Sequence, residues 1–205
     1  MSYQWVLDNA ETISIERKKV IAQTTTRTGV VRTVNRGPQP WVFDVKMPDG
    51  MRWTDVRGEI SIIESYDRSA TDQVYLNDSG YSWLSKYQGN SVNSTGFYAS
   101  WTQGANTITL TTSPTTSSGY KFRAGDLIQL GTGRKVYTVA ADVVYSSNTV
   151  TLHRPILDGT ATTQQLLVGP NCSWTIYCTQ FPSWTINPGG LVSWNGNFVF
   201  REVLS

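Results

Sequence analysis

Side chains capable of acid–base or nucleophilic chemistry are few in this sequence and widely spaced. His153 is its only histidine, so a single chain cannot supply a serine–histidine–acid triad or a histidine-rich metal site. Residues 149–152 alternate between polar and apolar side chains, which predicts a strand that His153 follows directly. We therefore interpret His153 as a hydrogen-bonded residue at the end of a strand and not as a catalytic base.

Carboxylates are spread through the first third of the chain, and any two of them could in principle meet as a glycosidase pair. They are Asp44, Asp49, Asp55, Glu59, Glu64 and Asp67. No spacing fixes such a pair, so solvated or ion-paired surface carboxylates are the simpler interpretation. Residues 78–80 and 124–126 resemble fragments of calcium loops, but neither continues into the acidic series that such loops require, so we expect turns. The sequence predicts no enzyme, no metal site and no cofactor.

The balance of charge argues for a protein partner. The net charge is +2 over 205 residues, which gives little attraction to nucleic acid or to a membrane surface. Basic residues are most frequent in the N-terminal third, but acidic residues are interspersed among them, whereas a nucleic-acid site needs a basic excess. Because arginines in mixed-charge surroundings suit bidentate pairing with a partner, we predict Arg27, Arg32 and Arg36 as interface residues.

Tryptophans of the C-terminal third divide into two groups by their neighbours. Trp174 lies in the alternating run 173–177 and is predicted to be buried in the core. Trp184 and Trp194 lie beside prolines and glycines, which favour exposed loops. A large aromatic residue in such a loop can anchor a protein partner or stack against a sugar, so both possibilities stay open for these two residues.

Cysteine spacing and the absence of long apolar runs suggest the compartment. Cys172 and Cys178 lie in one predicted strand, where a rise of about 3.3 Å per residue would set them about 20 Å apart, so we expect two reduced thiols. No apolar run approaches the roughly 20 residues of a membrane span, and the N-terminal residues lack the pattern of a secretory signal. We expect a protein made and kept in a cytoplasm, with no stable membrane insertion.

Strand-like patterns run from one end of the sequence to the other and predict an all-β fold. Apolar side chains alternate cleanly in residues 41–47. Residues 53–65 have mixed periodicity, so a strand and a short helix both stay open, and no amphipathic helix of ordinary length is expected. Residues 122–157 contain three short alternating segments separated by turn residues, which predicts a small antiparallel barrel or meander. The polar stretch at 82–98 predicts a junction between two units.

Three runs within residues 98–157 follow one another in a set order: TQGANTITLTTSP, FRAGDLIQLGTGRKVYTVAADV and TVTLHRPIL. They are flanked by TRTGVVRTVNRGPQPWVFDVKMP on one side and by SWNGNFVFREVL on the other. A Gly-Ala loop and a short strand thus precede an Ala-Gly-Asp turn, a tyrosine-containing strand and a terminal Arg-Pro element. In this order the chain resembles the distal tail and related tail-tip proteins of long-tailed bacteriophages. It departs from them between Ile60 and Gly89, where that family often has a clearer helix over the sheet.

The resemblance implies a tail-tube-like β-sandwich or barrel body with an inserted small antiparallel β-barrel. Residues 1–95 and 165–205 would form the ring-forming body, and residues 97–158 the small barrel as an arm. The implied function is structural: a ring, usually a hexamer, in the tail tip or baseplate that joins the tail tube to hub, fibre or spike proteins. Such a protein belongs to the virion and is assembled in the host bacterial cytoplasm. The alternative is a carbohydrate-binding module of a phage receptor-binding protein, with Trp184 and Trp194 as stacking surfaces.

Overall fold

A computed structural model of the chain describes residues 3–17, 21–35, 37–66, 70–77, 80–91, 94–114 and 118–204. Antiparallel strands dominate this part of the chain, which confirms the predicted all-β class. The strands are accompanied by helix α1 (Tyr3–Asp8) and helix α2 (Trp53–Ser65). Neither of these described helices is long and apolar enough to cross a membrane.

The strands fall into an early and a late group along the chain. The early strands are β1 (Thr12–Glu16), β2 (Ile21–Thr25), β3 (Val31–Asn35), β4 (Val42–Lys46), β5 (Met51–Arg52) and β6 (Thr71–Tyr75). The late strands are β7 (Tyr98–Trp101), β8 (Thr107–Thr112), β9 (Tyr120–Phe122), β10 (Leu127–Gln129), β11 (Val136–Thr138), β12 (Val143–Val144), β13 (Thr149–Thr151), β14 (Ala161–Gln165), β15 (Leu167–Val168), β16 (Ser173–Gln180), β17 (Ser183–Asn187), β18 (Leu191–Asn195) and β19 (Phe198–Glu202).

A five-stranded antiparallel sheet in the order β1-β4-β19-β16-β6 carries the first hydrophobic core. In strand β4, Phe43 and Val45 are fully buried in this core, while Asp44 between them is only partly buried. Trp174 packs edge-on against Phe43, with ring centroids 5.6 Å apart. The predicted alternation of residues 41–47 and the predicted burial of Trp174 are both confirmed.

A side chain of α1 closes the β6 edge of this sheet. Gln4 donates from Nε2 to the carbonyl oxygen of Tyr75 at 3.0 Å and accepts the Tyr75 N–H at Oε1, 2.8 Å away. Its amide group therefore bonds to the strand as the backbone of a neighbouring strand would. The Tyr3 N–H adds a bond to Asp72 Oδ2 at 3.2 Å. Helix α1 thus covers peptide groups that an open edge would present to solvent.

Helix α2 contradicts the expectation that the chain has no amphipathic helix of ordinary length. Over its 13 residues, Val56, Ile60 and Ile63 recur at helical spacing and are buried. Ile62 obscures this period in the sequence because it is apolar yet 40% exposed. Of the strand and helix alternatives for this segment, the helix forms, and Val56 and Ile60 cluster with Val192 of β18.

A second hydrophobic core lies among strands β7 to β15. Their sheets are short and are ordered β13-β8-β7-β14, β11-β10-β15 and β12-β9. Phe97, Phe122 and Tyr137 are fully buried between them. Across the described residues the sheets do not join into one closed barrel, so the predicted barrel is wrong. Among the described strands β9 to β13, the only ones consecutive in the chain that pair with each other are β10 and β11, so a meander does not form either. The core extends to Val168, and the predicted unit boundaries stay a prediction.

A buried ion pair joins the two cores. The Nη1 and Nη2 atoms of Arg154 donate to Glu202 Oε2 and Oε1 at 2.8 Å each, and the two side chains are only 1% and 2% exposed. Nη2 also donates to the carbonyl oxygen of Val136, which accepts the Trp41 Nε1–H as well. Val136 and Leu127 lie on β11 and β10 but belong to the first core. Strands β7 to β15 are therefore anchored to the central sheet by both polar and apolar contacts.

Candidate interface surfaces

Strands β2 and β3 form a hairpin that pairs with no other strand of the described residues. Valine and threonine side chains favour the extended backbone of both strands. The Thr26 N–H donates to the carbonyl oxygen of Val30 at 2.9 Å and closes the turn. Gly29 takes a φ of 79° in this turn, a conformation that glycine adopts without strain. Local sequence therefore forms the hairpin, while its outer edges are left unpaired.

Apolar and basic side chains of this hairpin project into solvent. Val30 and Val31 are 56% and 57% exposed. Arg27 lies in the turn and Arg32 lies on β3, and both are exposed. Arg36 falls outside the described residues. The structure thus brings two of the three predicted arginines onto one hairpin together with two exposed valines, and their role at an interface stays a prediction.

Trp184 and Trp194 lie on strands, so the prediction that they occupy loops is wrong. They are directly opposite each other where β17 pairs with β18. The prolines and glycines near them end the strands and form the connection between them, where Gly189 and Gly190 take φ values of 90° and 75°. Turn residues on both sides of a five-residue strand are the reason that this region resembles a loop in the sequence.

The same tryptophans pack within the chain. Trp184 stacks on Trp53 with ring centroids 4.9 Å apart and donates from Nε1 to Glu64 Oε1 at 3.0 Å. Trp194 packs against Phe198, with 5.6 Å between ring centroids. One face of the Trp184 ring is therefore occupied internally, which leaves less of it for a sugar. Sequence reasoning missed Trp53 because it opens a segment of mixed periodicity.

A cleft of about 410 Å³ opens beside the start of β17. Ile63, Tyr66 and Phe181 contribute apolar surface to it, and Glu64 contributes a carboxylate. Cys178 also lines the cleft, and burial raises the pKa of its thiol to about 11. The thiol is therefore protonated at neutral pH and is a poor nucleophile. The cleft could therefore accept an apolar side chain of a partner, with the Glu64 carboxylate beside it.

His153 is held as a neutral side chain. Its Nδ1 accepts the Thr138 N–H at 2.9 Å, which leaves the ring proton on Nε2. Burial, followed by the charges of Arg154 and Arg17, lowers the pKa of His153 to about 3. The predicted hydrogen bond at the end of a strand is confirmed, and so weak a base does not take up protons at neutral pH.

Asp126 organises the turn predicted from the Ala-Gly-Asp run. Its Oδ2 accepts the Arg123 N–H at 2.8 Å, and its Oδ1 accepts the Gln88 N–H at 2.9 Å. Gly125 takes a φ of 102° in the same turn. Asp126 is 1% exposed, so both carboxylate oxygens are committed to backbone amides and the prediction of a turn is confirmed.

The other candidate ligands do not converge on a site. Asp44 accepts a hydrogen bond from Asn197 Nδ2 at 2.6 Å, and Asp67 falls outside the described residues. Within the described ranges, no group of three histidine, cysteine, aspartate or glutamate side chains is close enough together to hold a metal ion. Cys172 and Cys178 are both free thiols, as their spacing predicted.

No protein-family model matches this chain, and no curated protein matches it in sequence. The predicted interface residues lie on two separate hairpins: Arg27 and Arg32 on β2–β3, and Trp184 and Trp194 on β17–β18. Function therefore has to be inferred from these two surfaces and from the sequence resemblance.

Proposed function

We propose that this chain is a structural component of a bacteriophage tail tip or baseplate, forming a ring that joins the tail tube to hub, fibre or spike proteins. The observation that carries the proposal is the β2–β3 hairpin, which no further strand of the described residues joins. An isolated two-stranded hairpin is marginally stable in water. A hairpin of this kind gains stability from a neighbouring molecule, and most soluble assemblies are built from copies of one chain.

The exposed side chains of the hairpin support contact with a protein. A single exposed valine is ordinary on a soluble surface, but Val30 and Val31 are adjacent and both are more than half exposed. Arg27 and Arg32 flank them and can pair with carboxylates in a bidentate manner. Apolar surface between arginines is typical of the buried centre of an interface.

The chemistry of the remaining side chains supports a structural role. His153 is neutral, the Cys178 thiol is protonated and both oxygens of Asp126 are bonded to backbone amides. Asp126 and Cys178 are hydrogen-bonded to the backbone, and His153 accepts a backbone N–H at Nδ1. The sixfold count, the tail tube, hub and fibre partners and the location in the virion come from the sequence resemblance.

Electron microscopy of the purified chain tests the proposal. We expect closed rings at high protein concentration in negative stain, and a matching mass by light scattering. The double variant Val30→Ser, Val31→Ser should keep its circular dichroism and melting temperature but lose the rings, because both side chains are exposed. Val144→Ser, at a valine that is 44% exposed on β12, is the matched control and should assemble normally.

Two results would count against the proposal. A monodisperse monomer at high concentration, with no ring of this chain in the native particle, would exclude the structural role. Retention of a monomer on immobilised glycans would instead favour the carbohydrate-binding alternative.

A further inference from the structure

Strand β17 presents an open edge in the sheet β17-β18-β5, since no described strand pairs with its outer side. The strand has the sequence SWTIN, without charge or proline, and lies between Pro182 and Pro188. Ile186 is 46% exposed on it. Proteins ordinarily protect such edges with charges, prolines or covering segments, as Gln4 covers β6 here. The unprotected edge of β17 suits an added strand.

The cleft extends this edge into a recognition surface. Phe181 lines the cleft and precedes β17 by two residues. A strand added to β17 that continues past Ser183 would therefore reach the cleft. Strand addition of this kind derives affinity from backbone hydrogen bonds and specificity from a pocket for one side chain. Ile63, Tyr66 and Phe181 suit an apolar side chain, and Glu64 suits a neighbouring cation.

The β2–β3 hairpin is basic and partly apolar, and so is complementary to the cleft and to the acidic residues of α2. Residues 21–35 contain Arg27 and Arg32 and no aspartate or glutamate. Helix α2, which borders the cleft, has three acidic residues against one basic residue, Arg57. The acidic residues of α2 are Asp55, Glu59 and Glu64. Val31, exposed beside Arg32, is an apolar side chain next to a cation, as the cleft requires.

Strand register shows that β1 and β16 run in opposite directions, so the chain leaves them toward opposite ends of β19. Glu16, the last residue of β1 before the hairpin, is opposite Val42, which is itself opposite Arg201 near the end of β19. Gln180, the last residue of β16 before β17, is opposite Val199 near the start of β19. When two different surfaces of identical chains meet, the contact between copies is heterologous, or head-to-tail.

We infer that the hairpin of one copy docks on the next copy, with β3 added to the free edge of β17 and Val31 over the cleft. The occupant is a second copy of this chain. This inference rests on the proposed function in one respect, that identical chains assemble. It adds the two surfaces that meet. A head-to-tail contact leaves one hairpin and one edge free at each end until the ring closes.

Two single variants, each defective on one surface, test the inference. Val31→Asp places a negative charge where Glu64 of the cleft must be approached, and Thr185→Lys places a charge in the middle of the β17 edge. Both positions are exposed, so we expect folded monomers by circular dichroism and light scattering. Matched controls are Val144→Asp and Thr163→Lys, at exposed positions of β12 and β14, which should assemble like the unaltered chain.

Mixing the two defective variants gives the decisive measurement. The intact hairpin of the Thr185→Lys chain can dock on the intact edge of the Val31→Asp chain, and no further contact is possible. We therefore expect a 1:1 heterodimer and no larger species. A mixture that stays monomeric, or a Thr185→Lys chain that assembles alone, would overturn the inference. If the two variants form a heterodimer but the chain is absent from every ring of the virion, the docking inference stands and the proposed function fails. If the chain forms rings but the two variants do not form a heterodimer, the proposed function stands and the docking inference fails.

Discussion

Arg154 and Glu202 meet as two opposite charges almost without contact with water. Taking charges out of water costs free energy, and their attraction offsets this cost only where the geometry is good and the remaining donors are satisfied. The two parallel bonds of 2.8 Å provide the geometry, and further bonds to the carbonyl oxygens of Val136 and Gln39 engage Nη2 and Nη1. Among the described residues, Arg154 Nε is left without a partner. Removal of one partner would leave the other buried and uncompensated.

Glu202→Gln should lower the free energy of unfolding by about 3–5 kcal/mol, because it leaves the Arg154 guanidinium without its counter-charge. Urea denaturation at pH 7 measures the change. Glu11→Gln is the matched control, since Glu11 pairs with Lys46 at 2.6 Å while both side chains are about half exposed. Its loss should stay below about 1 kcal/mol. Similar losses in the two variants would show that burial does not set the strength of these pairs.

His153 makes stability depend on pH in a definite direction. Its pKa is about 3 in the folded chain, against an ordinary value of 6.5, so between these values the unfolded chain holds a proton that the folded chain lacks. Stability from this residue is complete above pH 6.5 and is lost as pH falls toward 3. Urea midpoints should therefore fall from pH 7.5 to pH 5 by more in the natural chain than in His153→Gln. Equal falls would contradict the assignment, as would a histidine proton resonance that titrates near pH 6.5 in the folded chain.

At the scale of elements, the alternation of apolar and polar residues predicted those strands in which buried and less buried side chains also alternate. β4 and β16 are such strands, and Trp174 is buried as its alternating run requires. The sequence does not decide between a strand and a helix for α2, because Ile62 is apolar yet exposed and obscures the helical period. The β17–β18 hairpin was mistaken for loops because prolines and glycines bound it closely. Arg27 and Arg32 are exposed, and their role at an interface stays a prediction. Strand pairing is non-local, so the sequence could not reveal that no other described strand joins their hairpin.

Tryptophan truncation should cost stability in proportion to burial. Trp174→Ala removes a side chain that is 1% exposed and packed against Phe43, so we expect a loss of about 3–5 kcal/mol. Trp184→Ala should cost less, because the ring is only half-buried on Trp53, and it should weaken assembly by loosening β17. Trp83, at 65% exposure, is the control and its removal should cost almost nothing. Equal losses for all three in urea titrations would refute this ranking.

At the scale of the whole molecule, the two cores are not independent. Leu127 and Val136 extend from the late strands into the first core, and the Arg154–Glu202 pair lies between the cores. Each core therefore depends on contacts made by residues whose position is fixed by the other core. Strands β7 to β15 are thus held in a fixed position on the central sheet.

The natural chain should therefore unfold in one cooperative step. Differential scanning calorimetry should give a calorimetric enthalpy equal to the van't Hoff enthalpy, and fluorescence and circular dichroism should report the same midpoint. Measurements belong at low concentration, where assembly does not shift the transition. Two resolved transitions in the natural chain would show that the contacts between the cores are too weak to couple them.

The Gln4 amide affects how fast a second copy of the chain can pair with β6. A strand that arrives at β6 finds both backbone groups of Tyr75 already bonded, so it must break two hydrogen bonds before it can form one. Mispairing at that edge therefore meets an initial barrier, whereas no described strand pairs with the outer side of β17. In a cell that makes many copies at once, this one glutamine would slow the pairing of a second copy with β6.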